Sequence, residues 1–341
     1  MESISRRLLT LLQLTRMALV FTALADSGCA LLLWAARQGR EAGTSPWRQL
    51  DPAQCIMLAM ISIGLYGFGM SLNDIIDRRR DRQVSPNRPL PSGRIGVATA
   101  HIVCALLVLM ALVGGEVYST IVRNSALSLM LVVFTIAMIT FYDFAGKYLV
   151  PLGLLTLGCI RFVHAMIAAP SLPVLWHPLF LLNHVTVVSM VAYHWEQKRP
   201  SLRPVHWWSV LLGLLGFNGM AIGWYWWRHH VQNHYLSATE ILRIQPDLLG
   251  PLAAALVFVG LTFFIRRRNA NAREAGQTLM LAGLLWLIVY DASFVTVYVG
   301  IAEGFLILTL LPMAYFSVLV MRWWSALILL SQRPTFKRVE T

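Results

Sequence analysis

Apolar residues in this chain gather in runs of about 20, separated by short polar segments, rather than alternating with polar ones. A helix of that length spans the roughly 30 Å of a bilayer's hydrocarbon core, so each run predicts a membrane-crossing helix. The windows fall near 15–36, 54–72, 96–115, 124–142, 148–170, 172–194, 206–227, 248–265, 276–300 and 304–322. The last division is the least sharp, because only the short stretch from Gly300 to Gly304 separates two long apolar runs. The pattern predicts an all-α fold, a polytopic transmembrane helical bundle of nine or ten spans. Residues 1–322 would form one transmembrane domain. Residues 323–341, which carry Trp323, Trp324 and the run Leu327 to Leu330 beside basic residues, read as an interfacial or disordered tail.

Arg6 and Arg7 before an apolar run ending in Ala23-Leu24-Ala25 have the outline of a cleavable leader. Arg16 interrupts that run, and it continues past Asp26 to Leu33, so this segment is expected to stay as the first span. Composition agrees with a membrane protein: 57% of the 341 residues are hydrophobic and 13% charged, which leaves no soluble domain of any size. The net charge of +12 then reflects basic loops against anionic lipid, and nucleic acid is a poor inference. With the N-terminus in the cytoplasm, 21 of the 28 lysines and arginines fall on that side, six fall opposite, and Arg161 lies within the bundle. That imbalance favours an integral, multi-pass protein of the cytoplasmic or inner membrane with N-terminus and polar site loops inside. Cys29, Cys55, Cys104 and Cys159 have no metal-ligand spacing.

The chemistry concentrates where the second span ends, in Ser-Leu-Asn-Asp-Ile-Ile-Asp-Arg-Arg-Arg-Asp-Arg from Ser71 to Arg82. Asp74, Asp77 and Asp81 are three and four apart, which puts their carboxylates on one face of a helix. Mg²⁺ takes oxygen ligands from a few carboxylates, waters and substrate phosphates. A carboxylate face ringed by arginines suits a metal-bridged diphosphate. The plainer alternative is a solvated helix in which Asp74 pairs with Arg78 and Asp77 or Asp81 with a neighbouring arginine.

The block Asn73 to Asp81, followed by Asn87-Arg88-Pro89-Leu90-Pro91-Ser92-Gly93, resembles the first signature of the UbiA superfamily of intramembrane prenyltransferases. In that family the signature joins the second and third transmembrane helices, as here, around a central cavity opening to the cytoplasm. A second acidic signature joins the sixth and seventh helices. The corresponding loop here reads Tyr193-His194-Trp195-Glu196-Gln197-Lys198-Arg199-Pro200: Glu196 stands for one aspartate, and Pro200 occupies the position of the other. A family tyrosine and lysine between the fourth and fifth helices match Tyr142 and Lys147, and Arg161, followed by His164, sits where relatives often carry an arginine.

The resemblance implies Mg²⁺-dependent transfer of a polyprenyl group from an allylic diphosphate to a hydrophobic acceptor, an aromatic ring foremost, with release of diphosphate. Asn73, Asp74, Asp77, Asp81 and Glu196 would hold the metal. Arg82, Arg88, Lys147 and Arg161 would contact phosphate oxygens, which stabilises the charge developing on the leaving group. Tyr66, Phe68, Phe141 and Tyr142 would face the carbocation. Ionisable residues within spans are expensive and default to functional hypotheses. Asp26 would orient an acceptor hydroxyl or take a proton, and His164 would take the ring proton. For His101, His184 and Asp291 interhelical hydrogen bonds are the plainer account, and Asp143 reads as a helix-end charge. The partners implied are a polyprenyl diphosphate, a lipophilic acceptor and membrane lipid. The competing expectation is a carrier that binds polyprenyl phosphate without breaking a bond, which Pro200 favours.

Overall fold

The computed structural model describes residues 4–123, 125–171, 174–198, 200–231 and 246–331. The helices are α1 (Ile4–Leu14), α2 (Val20–Ala42), α3 (Pro52–Ile76), α4 (Arg78–Val84), α5 (Val97–Val117), α6 (Leu127–Phe144), α7 (Val150–Ile167), α8 (Trp176–Trp195), α9 (Pro204–Val231), α10 (Leu249–Arg268), α11 (Ala272–Tyr298), α12 (Ile301–Leu308) and α13 (Leu310–Ser331). Among the described residues there is no strand.

Helix ends follow local chemistry. At the start of α3 the Asp51 carboxylate accepts from the Ala53 N–H at 2.9 Å, and Pro52 fills the first helical position, where its missing N–H costs nothing. Gly43, at φ 63°, closes α2 in the left-handed conformation. Arg266, Arg267 and Arg268 end α10, where the helix dipole favours cations.

Nine helices among the described residues are long and apolar enough to cross a membrane, the last of them running through α12 and α13 as one span, Ile301–Trp324. The 20-residue α8 is a tenth helix of spanning length. It carries more polar groups because it faces protein: His184 Nε2 lies 2.9 Å from the Gly283 carbonyl oxygen of α11, and Asn183 and Asn218 of α9 exchange amide hydrogen bonds at 2.8 and 3.0 Å. The fold is an integral, multi-pass bundle, with helices at the positions the apolar windows predict. Residues 323–331 continue α13, and the rest of the expected tail, with Arg333, Lys337 and Arg338, lies outside the described residues, as do Arg199 and Arg243.

The core is built around α2, which packs on α3, α7, α11 and α13. Its apolar stretch is 67% buried, against 11% for α9 and 17% for α10, so α2 is central and the other two are peripheral. One face of α2 joins Leu58, Ile61, Leu65, Cys104 and Val132 of α3, α5 and α6. Another joins Ile288, Phe294 and Ile307 of α11 and α12. Leu154, Leu179, Leu182 and Val210 close a third cluster between α7, α8 and α9. The outer surface shows large apolar side chains such as Leu215, Leu256 and Phe305, a surface that lipid covers and water does not tolerate.

Candidate active site

The acidic block sits at the joint between α3 and α4. α3 ends at Ile76, Asp77 is the hinge residue at φ −77°, ψ −1°, and α4 begins at Arg78. The sequence predicts one helix face; the hydrogen bonds Asp77 N→Asn73 O at 2.9 Å and Asp81 N→Asp77 O at 2.8 Å carry the helical spacing across the joint. The face divides in two. Asp74 and Asp81, two turns apart, look one way, and Asn73 and Asp77, one turn apart, look the other.

Asp74 and Asp81 meet arginines from distant segments. Arg88 Nη1 lies 2.5 Å from Asp81 Oδ2 and 3.5 Å from Asp74 Oδ1, and Arg16 Nη2 lies 3.1 Å from Asp74 Oδ1. Asp74 is 3% exposed at its side chain while Arg16 is 39% exposed, so the carboxylate is inside and its cations form the rim. Arg16 reaches there because its backbone takes the left-handed conformation, φ 47°, at the break between α1 and a single 3₁₀ turn, Met17–Leu19. For a residue with a β-carbon that costs about 1–2 kcal/mol. Arg88 is aimed by the loop that follows it: Arg94 donates to the Asn87 carbonyl at 2.6 Å and to Gln13 Oε1 at 2.8 Å, and Leu90 and Ile95 pack with Leu14. Arg94 is thereby a clamp for the loop.

Asn73 and Asp77 meet α6 and the turn after it. Lys147 Nζ lies 2.8 Å from Asp77 Oδ1 and 3.7 Å from Asp143 Oδ1. With its amide nitrogen turned to the carboxylates, Asn73 donates to Asp143 Oδ1 at 3.0 Å and to Asp77 Oδ2 at 3.2 Å. Gly69 packs against Ile139 of α6, where a β-carbon would make a tight 3.3 Å contact with Ile139 Cγ2. One turn further along each helix stand Asn73 and Asp143. Asp143, expected to be a solvated helix end, is 2% exposed. Tyr142 beside it is half-buried, whereas Phe141, two residues from Asp143 and so on the opposite side of α6, is 41% exposed. Phe68 is likewise not at the site but in the core between α2, α3, α5 and α6.

The local pairing expected of a plain solvated helix is not what forms. Among the described residues no aspartate of the block pairs with Arg78, Arg79, Arg80 or Arg82, and Arg82 is exposed on α4. Glu196, at the end of α8, pairs with Lys198 at 3.2 Å and packs against Gly276 of α11, where a β-carbon would come within 2.7 Å of Glu196 Cγ. Carboxylate and amide oxygens on a partly open rim are the hard donors that Mg²⁺ takes.

A second polar cluster lies deep in the bundle. Arg161 Nη1 donates to Asp26 Oδ2 at 2.6 Å and its Nη2 to Thr22 Oγ1 at 2.8 Å, while His164 Nδ1 approaches Asp26 Oδ2 at 3.4 Å. Ser62 Oγ joins His164 Nε2 at 3.2 Å and Ser27 Oγ at 2.7 Å. On the other side His177 Nε2 and Asp291 Oδ1 are 2.7 Å apart. Asp26 Oδ1 and Asp291 Oδ2 are buried carboxylate oxygens without a hydrogen-bond partner among the described residues. Arg161, grouped by sequence with the phosphate contacts, is therefore not brought to the acidic block: Ser62 and Asp74 stand twelve residues apart on α3, about 18 Å along its axis.

His177, Ser27 and Ser62 carry no motif, and only the packing reveals their part. Cys29 Sγ also lies within 4.8 Å of the His177 and Asp291 ligand atoms, a proximity that linear spacing does not show. His101 departs from the interhelical bond expected of it, since its Nδ1 lies 2.8 Å from the Val97 carbonyl of its own helix.

Comparison with known proteins agrees with this architecture. The model of the UbiA prenyltransferase family matches residues 29–199. Over 59 residues, 17% of this chain and 21% of the relative, the chain is 46% identical to a digeranylgeranylglyceryl phosphate synthase of Methanococcus maripaludis; the match thus spans about a fifth of that protein. Among solved structures, one of a digeranylgeranylglyceryl phosphate synthase superposes with a TM-score of 0.55 at 16% identity, over 86% of this chain and 99% of the other. A UbiA homolog from Archaeoglobus fulgidus gives 0.53 at 14% identity, covering 88% and 99%. The same homolog bound to GPP and Mg²⁺ gives 0.51 at 15%, covering 84% and 99%. At these identities the structures speak for the fold, and with the family match over half its length the chain belongs to the UbiA prenyltransferase family, a family of transferases.

Proposed function

We propose that this protein transfers a polyprenyl group, within the membrane and with Mg²⁺, from an allylic diphosphate to a lipophilic acceptor, an aromatic ring foremost, releasing diphosphate. The observation that carries this reading is that Asp74, Asp77 and Asp81 turn from the arginines next to them in sequence toward Arg16, Arg88 and Lys147, drawn from three other segments. A merely soluble helix end has no need of such long-range convergence. The GPP and Mg²⁺ bound by the Archaeoglobus fulgidus homolog, and the local similarity to a digeranylgeranylglyceryl phosphate synthase, support a prenyl diphosphate as donor.

Asn73, Asp74, Asp77, Asp81 and Glu196 would hold the metal, which supplies Lewis-acid neutralisation of the diphosphate. Arg88, Arg82 and Lys147 take the phosphate oxygens, the arginines in bidentate fashion. Cleavage of the allylic C–O bond sends its electron pair to the diphosphate and leaves a carbocation, beside which Tyr66 and Tyr142 offer ring faces. Exclusion of water by the bundle protects that cation until the acceptor's electrons form the new bond. The acceptor then loses one proton. Asp26, His164 and Arg161 form a polar floor for the far end of the acceptor, and the departing diphosphate beside the reacting carbon, rather than the distant His164, takes the proton. The excess of basic loop residues supports a cytoplasmic opening for the diphosphate end.

The test is diphosphate release from a polyprenyl diphosphate by protein in lipid with an acceptor extract. Asp77→Ala is expected to abolish release. Unchanged release in that variant argues against the metal site, and passage of labelled polyprenyl phosphate across vesicles without diphosphate formation argues for a carrier.

A further inference from the structure

The second acidic loop lacks a carboxylate where Pro200 stands, and Glu196 pairs with its own neighbour Lys198. Another carboxylate, which no motif marks, stands at the first block. Asp143 lies in the last turn of α6, where the helix dipole disfavours an anion by about 0.3–1 kcal/mol. It is also 2% exposed, and a buried carboxylate needs a partner of opposite charge. Its i+4 neighbour Lys147 is nearer to Asp77, 2.8 Å against 3.7 Å, so one ammonium serves two carboxylates. The Asn73 amide bonds both. Two carboxylates and one lysine leave a net negative charge in a largely buried place, and a dication added to them gives a net positive one, which attracts diphosphate.

Resting on the prenyl-transfer reading, we propose that Asp143 is a metal ligand of this site, standing in from α6 for the carboxylate missing at Pro200. Asp77 and Asp143 bind from two helices, with Asn73 turning its amide oxygen to the ion, and Lys147 exchanges its carboxylates for phosphate oxygens when the donor arrives. The Asn73 amide nitrogen, 3.0 Å from Asp143 Oδ1 and 3.2 Å from Asp77 Oδ2, marks the place between the two helices that one ion would take.

Binding of Mn²⁺ alone, followed by the loss of its free-ion electron paramagnetic resonance signal, tests this in the full-length protein without any substrate. Asp143→Asn is expected to weaken Mn²⁺ at least about tenfold. Asp77→Asn should weaken it similarly, while Lys147→Met and Glu274→Gln, the latter in the first turn of α11, leave it no weaker. If Asp143 acts only by holding Lys147, Asp143→Asn leaves Mn²⁺ affinity at the wild-type value and raises the KM for the prenyl diphosphate, and the proposal falls while prenyl transfer stands. Absence of Mn²⁺ binding by the wild-type protein also overturns this proposal, and the transfer reading is then judged by diphosphate release alone. Asp143→Ser reads the same quantity should the asparagine variant fail to fold.

Discussion

Both polar clusters set carboxylates against guanidinium groups, yet they stand about 18 Å apart along α3 and handle charge differently. At the acidic block the cations come from mobile-length side chains at a rim, Arg16 and Arg88 being about a third exposed, and each carboxylate has a partner it can exchange for a metal or a phosphate. Around Asp26 nothing is exposed beyond a small part of Arg161, and every partner is fixed by helix packing among α2, α3, α7, α8 and α11. Such a buried pair contributes little net stability when intact, but losing one partner strands the other. The first cluster is built to change partners, the second to keep them.

The largest effect expected is at the rim: Asp77→Ala should lower the rate of diphosphate release by about three orders of magnitude, without a comparable loss of thermal stability. The reverse is expected in the bundle. Asp26→Leu should lower stability by about 3–5 kcal/mol, a fall in Tm of roughly 10 °C in detergent. The double variant Asp26→Leu with Arg161→Leu should recover most of it, and failure to recover would show that the pair is not a closed unit. Gly69→Ala should reduce activity about tenfold by pushing α6 from α3, with Mn²⁺ affinity falling in step. At the small end, Arg16→Gly and Arg16→Ala should both raise the KM for the donor. The glycine variant should be about 1 kcal/mol the more stable, because only it relaxes in the left-handed conformation. Equal stability of the two would mean that the backbone at residue 16 carries no strain.

The functional residues differ in how legible they are. Asn73 to Asp81 and Arg88 stand in one motif, and their roles as carboxylate face and cation follow from residue type and spacing. Arg16 lies outside any motif, and its reach to Asp74 depends on a left-handed residue at a helix break. Asp143 reads as a helix-end charge because its sequence neighbours are a tyrosine and a phenylalanine; its burial against Asn73 and Lys147 exists only when α6 packs on α3. Asp26, Arg161 and Asp291 announce themselves as ionisable residues in apolar runs, but which carboxylate takes which cation depends on helices that are distant in the chain.

By itself the sequence determined the class of fold, the spans and the place of the acidic block. Span length and charge distribution are local quantities set by the bilayer's thickness and by the cost of burying a backbone or a charge. Tertiary structure alone decided which cations meet each half of the acidic face, that Arg161 belongs with Asp26 rather than with the phosphate contacts, and that Asp143 reaches Asn73. Those facts depend on the rotation and approach of whole helices, which close packing at positions such as Gly69 fixes and which no local pattern of residues encodes.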